Sequence, residues 1–134
     1  MPDAPAPPPS ADALTAVAAQ TPGVVLLLLF GSRARADARE ESDWDFGYLV
    51  EPGTDVEGLR AELVRVTGTE RIDLVDLDRA GALLRYRAAR DGRLIYERDA
   101  GAGARFRLAA ADFWCDAGPQ LQRAYAGVLA ELDR

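Results

Sequence analysis

Val24-Val25-Leu26-Leu27-Leu28-Leu29-Phe30, followed at once by Gly31-Ser32, is the stretch on which the fold of this chain turns. Seven consecutive apolar residues are too few to cross a bilayer and the right number for a strand buried on both faces. A strand of that kind needs neighbours on both sides and helices above and below. The Gly-Ser that follows marks an abrupt exit into the polar segment Arg33 to Glu41, read as a short helix or helical turn.

Working outward, Ser10 is placed to cap a helix over residues 11–20, which Thr21-Pro22-Gly23 closes. A second strand is expected at Trp44 to Val50, with Pro52-Gly53 at its exit. Thr54 or Asp55 can cap a helix whose apolar residues Val56, Leu59, Leu63 and Val66 lie on one helical face, and Gly68 ends it. Arg71 to Leu77 reads as a third strand. Asp78 is expected to cap a helix running to Arg90, with Asp91-Gly92 as its stop and a short fourth strand over Arg93 to Glu97. From Ala102 onward the pattern is helical, broken at Gly118-Pro119, with an apolar stripe of Leu121, Tyr125, Val128, Leu129 and Leu132 in the last piece. The fold class is therefore α/β, a small mixed sheet flanked by helices.

Composition narrows the chemistry. The chain has 134 residues, enough for one domain over residues 10–134, and five of its eight prolines crowd the first nine residues, expected to form a disordered tail. Sixteen basic against 22 acidic side chains give a net charge of −6, which argues against a general nucleic-acid binder. With no His in the chain, triads built on imidazole and His-ligated zinc are excluded. The single Cys115 is expected to be a small buried residue beside Phe113 and Trp114. Neither a membrane span nor a signal peptide is legible, so a cytoplasmic location is expected. Charge is uneven, at −5 over residues 51–78 and +5 over residues 79–107. Such a run is either a solvated helix face or a surface for polyphosphate or an acidic partner.

One constellation stands out: Gly31-Ser32, then Asp43-Trp44-Asp45 after ten residues, then Asp73 on the next expected strand. Gly-Ser where a strand meets a helix offers free N–H groups and a hydroxyl to a phosphate, and the glycine allows the backbone to approach closely. Aspartates two apart on a strand share a face, so Asp43 and Asp45 stand together and Asp73 can join them. Asp73, flanked by Ile72, Leu74 and Val75, is read as an acid costly to bury without a partner. Three neighbouring carboxylates repel one another unless a cation lies between them. The natural occupant is Mg²⁺, and two such ions could clamp the oxygens of a phosphoryl transfer.

Gly31-Ser32-Arg33-Ala34-Arg35 through Ser42-Asp43-Trp44-Asp45-Phe46-Gly47-Tyr48-Leu49 resembles the signature of nucleotidyltransferases of the DNA polymerase β superfamily. More closely it is similar to the minimal nucleotidyltransferases, the MntA-type antitoxins encoded beside HEPN-domain toxins. Ile72-Asp73-Leu74-Val75-Asp76-Leu77 and Gly92-Arg93-Leu94-Ile95-Tyr96-Glu97-Arg98 carry the resemblance further, over most of residues 24–115. It implies that Gly31, Ser32 and Arg33 bind the nucleotide and that Asp43, Asp45 and Asp73 are the catalytic metal ligands, Asp73 also serving as general base. It implies Mg²⁺ as cofactor, ATP as substrate, and transfer of AMP to a tyrosine of a HEPN toxin held in a hetero-oligomer. Asp76 receives no role, since three residues on from Asp73 it faces the other way. Where relatives carry Gly, this chain has Ala36, which costs roughly 1 kcal/mol if that position needs a positive φ. Two alternatives stand beside this reading: an antitoxin that neutralises by stoichiometric binding alone, and nucleotide transfer to a small molecule. The latter usually needs a further substrate domain, for which the chain leaves little length.

Overall fold

The computed structural model describes residues 11–31 and 43–116, with isolated positions between 118 and 127. The expected cap Ser10, the helical turn over 33–41 and the stripe from Leu121 to Leu132 lie outside the described residues. In chain order the elements are α1 (Ala11–Gln20), β1 (Val24–Phe30), β2 (Trp44–Val50), α2 (Val56–Thr67), β3 (Ile72–Asp76), α3 (Ala82–Asp91), β4 (Arg93–Glu97) and α4 (Ala102–Asp116). The four strands form one sheet in the order β3-β2-β1-β4. β1 is antiparallel to both neighbours, while β2 and β3 run parallel, connected through α2. The sheet is thus mixed and helix-flanked, as the sequence pattern requires.

Burial of β1 on both faces organises the two layers. Leu27 and Leu29 pack with Leu14 and Val17 of α1 and Leu59 and Leu63 of α2. Leu26 and Leu28 pack on the other face with Ala88 of α3 and Phe106 and Ala110 of α4. A register shift between Val24 and Leu26 brings Val24 onto the same side as Leu27, against strict alternation. β2 sorts its residues in the same way: Trp44, Phe46 and Tyr48 enter the α1/α2 core, and the Trp44 and Phe46 rings stack 5.9 Å apart. On the opposite face Gly47 leaves room for Leu77, whose Cδ2 would stand 2.9 Å from a Cβ at that position. Leu77 is consequently 1% exposed, a burial worth about 2 kcal/mol.

Local chemistry sets the boundaries. Asp55 caps α2 by accepting the Gly58 N–H at 2.9 Å, and Gly68 ends the helix at φ 76° with its own N–H donated to Val64. Both were legible in the sequence. Asp78 does not cap α3: the helix starts four residues later, with Gly81 at the N-cap and no side-chain cap bond. The chain leaves β3 through a turn in which Asp76 Oδ1 accepts the Asp78 N–H at 3.0 Å, while Leu77 N–H still bonds Tyr48 C=O at 3.0 Å. Asp78 is thereby held in that turn. α4 is capped from a distance, since Glu97 Oε1 accepts the N–H groups of Gly101 and Gly103, each at 3.1 Å.

Side chains also occupy carbonyls of the outer strands. Arg60 donates to the carbonyls of Ile72 and Glu70 beside β3, and Thr15 Oγ1 donates to Ile95 of β4 at 2.7 Å. Both contacts occupy acceptors that a sheet edge would otherwise offer to another chain. Cys115 is exposed, contrary to the sequence-based expectation. The buried positions of α4 are Ala102, Gly103, Phe106 and Ala110, and Trp114 continues that side by stacking on Tyr86 at 4.8 Å. One further residue turns Cys115 about 100° away. No helix among the described residues is long and apolar enough to cross a membrane.

Two measurements check these contacts. Glu97→Ala removes both N–H acceptors at the start of α4 and is expected to cost about 1–2 kcal/mol in urea unfolding, with Glu97→Gln losing less. Tyr48 lies in the core beside Asp76; burial first, then that carboxylate, push its phenol above the ordinary value of 10.0, and Arg79 opposes them. The folded chain then holds this proton more tightly than the unfolded one. Stability is therefore full below about pH 10 and falls as pH rises further, and Tyr48→Phe should flatten that fall in alkaline unfolding.

Candidate active site

At one end of the sheet the antiparallel register pairs Phe30 of β1 with Asp45 of β2, and the parallel register pairs Asp45 with Asp73 of β3. Directly paired residues project to the same face. Since Trp44 and Phe46 point into the α1/α2 core, Asp45 and Asp73 project from the α3/α4 face, side by side at the mouth of the sheet. Two carboxylates at neighbouring register positions repel each other in the absence of a cation and form a hard oxygen donor pair in its presence.

Gly31 closes the third side. Its φ of +77° is in the left-handed region, and a Cβ there would come within 2.3 Å of Asp45 Oδ2. Only glycine meets both conditions without displacing the carboxylate. The structure places Gly31 against the Asp45 carboxylate. Ser32 and Arg33, the other two expected nucleotide-binding residues, lie outside the described residues, as do Arg35 and Ala36.

Asp43 immediately precedes β2 and is exposed, whereas Asp45 is half-buried. The strand begins one residue after Asp43, where Trp44 N–H bonds Arg71 C=O at 2.9 Å. Among the described residues no three acidic, His or Cys side chains are grouped closely enough to hold a metal ion. The register joins the pair Asp45–Asp73, with Asp43 at the strand entrance. Asp73 is exposed, which corrects the expectation of a costly buried acid: β3 is the outer strand of the sheet. Asp76 pairs with Tyr48 and faces away from the other two acids, as its spacing requires. Arg85 and Arg87 of α3 were not singled out as site residues; their only signal in the sequence was membership of the basic stretch.

A mixed four-stranded sheet flanked by four helices is the architecture of the polymerase beta-like nucleotidyltransferase class. The family model for polymerase beta nucleotidyltransferases matches residues 12–101, and the chain belongs to that family. Protein adenylyltransferase MntA of Aphanizomenon flos-aquae (strain 2012/KM1/D3) is 30% identical over 89 residues, 57% of this chain and 59% of the relative. The chain thus spans about three fifths of the length of the curated relative it matches. A chain from a crystal structure of a toxin–antitoxin with AMP-PNP superposes with a TM-score of 0.68 at 18% identity, covering 93% of this chain and 99% of that one. A chain from the complex of a tri-AMPylated Shewanella oneidensis HEPN toxin with MNT antitoxin superposes at 0.55 and 20% identity, covering 84% and 86%. At these identities the two structures establish the fold.

The contact between Gly31 and Asp45 is testable as a coupling. Gly31→Ala should cost about 1–2 kcal/mol, from backbone strain and from displacement of the Asp45 carboxylate. In an Asp45→Ala background only the backbone part should remain. A double-mutant cycle by chemical denaturation should therefore show non-additivity of about 0.5 kcal/mol or more.

Proposed function

We propose that the chain is a Mg²⁺-dependent nucleotidyltransferase that moves AMP from ATP to a tyrosine hydroxyl of a HEPN-domain toxin and so neutralises it. The observation that carries this reading is the juxtaposition of Gly31, Asp45 and Asp73 at one end of the sheet. The family of the chain, its likeness to the protein adenylyltransferase MntA and to the MNT antitoxin in complex with a tri-AMPylated HEPN toxin, a structure of the same fold, support it.

In this reading Gly31 and Ser32, with Arg33 beside them, receive the triphosphate through backbone N–H groups, the hydroxyl and the guanidinium. Asp43, Asp45 and Asp73 would hold Mg²⁺, whose chemistry when bound is to neutralise the triphosphate and withdraw charge from the leaving oxygen. An oxygen-only donor set of this kind fits a hard cation and suits no soft one. Asp73, the most exposed-edge member of the pair, takes the proton of the attacking hydroxyl. The hydroxyl oxygen bonds to the α-phosphorus, the bond to the bridging oxygen of the β-phosphate breaks, and pyrophosphate leaves with the electron pair. The acceptor hydroxyl comes from the partner.

Incubation with ATP labelled in the α-phosphate, Mg²⁺ and the HEPN-domain protein encoded beside this chain should label that protein. Asp73→Ala should lower the rate by about 10²–10⁴-fold, and Asp45→Ala should abolish labelling. Chelation of Mg²⁺ should do the same. Undiminished labelling by Asp45→Ala and Asp73→Ala would show that these carboxylates are not the catalytic ones, and neutralisation without any labelling would show that binding alone suffices.

A further inference from the structure

α3 crosses the sheet from one edge to the other. It follows β3, the outer strand on one side, and leads through Gly92 into β4, the outer strand on the other. Its last turn reaches the acidic end, since Arg93 pairs with Leu29, one residue before the Phe30 that stands opposite Asp45. Ala88 is fully buried and packs with Leu26 and Leu28, and a Cβ at Gly92 would stand 3.4 Å from Leu28 Cδ1. Leu28 and Phe30 are two strand residues apart, about 7 Å. The C-terminal half of α3 therefore lies beside the mouth formed by Gly31, Asp45 and Asp73.

Helical rotation, about 100° per residue, decides which side chain of α3 faces that mouth. Ala88 marks the line that faces the sheet. Arg85 and Tyr86 fall on one side of it, towards α4: Arg85 Cζ stands 4.7 Å over the Phe113 ring and Tyr86 stacks on Trp114. α4 in turn lies towards the other end of the sheet, where Ala102, Phe106 and Ala109 line a cleft with Val25 and Leu49. Arg87 falls about a quarter-turn to the opposite side of Ala88, the side turned from α4 and towards the mouth. Asp91, the acid on that side, is paired with Arg90 at 2.7 Å. The other arginines of α3 and its surroundings are engaged as well, Arg79 with Asp76 and Arg105 with Asp99, Arg85 and Arg107 with the carbonyls of Asp78 and Gly92. Arg87 is half-buried, has no such partner among the described residues, and its Nε is buried without a hydrogen-bond acceptor. An orphaned guanidinium donor raises the free energy of the empty chain, and an anion that completes it recovers that cost.

We propose that Arg87 is a further nucleotide-binding residue, its guanidinium holding a phosphate group of the nucleotide from α3 while the Gly31 segment receives the nucleotide from the sheet. The proposal rests on the reading above that the mouth binds ATP, and it adds a contact from the helical side. Asp45 and Asp73 repel a triphosphate, so a cation on the opposite wall offsets part of that repulsion. The planar fork of arginine matches phosphate oxygens in geometry as well as in charge.

The test is calorimetric binding of ATP with Mg²⁺ to the full chain, with no partner protein present, for the wild type, Arg87→Met, Arg87→Lys and Arg79→Met. Met keeps the apolar stem of the arginine and removes its charge and donors. Arg79, whose side chain is 89% exposed, lies at the other end of β3 and serves as the control. Arg87→Met should weaken ATP binding about tenfold or more, Arg87→Lys should weaken it less, and Arg79→Met should bind within about twofold of wild type. The thermal midpoint of the nucleotide-free chain should be unchanged or higher in Arg87→Met, because the orphaned donor is gone; a residue that only braced the helix would lower it. Binding by Arg87→Met as tight as that of the wild type overturns the role of Arg87 and leaves the nucleotide site intact. Weakened binding with a lowered midpoint, the same in Arg87→Lys, overturns it as well. A wild-type chain that binds no ATP overturns both readings.

Discussion

The antiparallel pairing of β1 with β2 is the constraint on which the rest depends. β1 is apolar along its whole length, so it can be satisfied only with a strand on either side and a helical layer on either face. That requirement brings α1 and α2 to one face and α3 and α4 to the other. It also fixes where the chemistry lies, because the register that buries Leu27, Leu29, Phe46 and Tyr48 together sets Phe30 opposite Asp45. A slip of one residue would exchange the faces of β2 and carry Asp45 into the α1/α2 core.

The acidic mouth and the cleft beside Val25 and Leu49 then lie on one face of the sheet, at its two ends. Their separation follows from how that face is filled. Gly47 and Leu77 and the packing of Ala88 and Phe106 against Leu26 and Leu28 occupy its middle. Beyond that middle lie, among the described residues, the end at Gly31, Asp45 and Asp73 and the end at Val25 and Leu49.

Much of this was legible in the sequence because local signals and burial agreed. The limits of α1, β1, β2, α2 and β4 fall where apolar runs, Asp55, Gly68 and the Pro-Gly and Asp-Gly pairs put them. Readings that depended on surroundings failed. Asp78 looked like a helix cap, but Asp76 captured its N–H and Leu77 remained bonded to β2, so the helix began later. Asp73 looked buried among Ile72, Leu74 and Val75; its strand is the outer one, and its side chain meets solvent. Cys115 looked buried beside two aromatics, yet the helical turn directs it away from the face that Trp114 shares with Tyr86.

The sequence by itself determined the class of fold and the residues from which a site could be made. Periodicity, caps and a two-sided strand are properties of neighbours along the chain. Only the tertiary structure decided that Asp45 and Asp73 are register partners, that Gly31 lies against Asp45 in a conformation closed to other residues, and that Arg85 lines a cleft some distance from them. These facts depend on strand order and on which helix covers which face. Such contacts join residues far apart in the chain, and they form only once burial of β1 has chosen the arrangement.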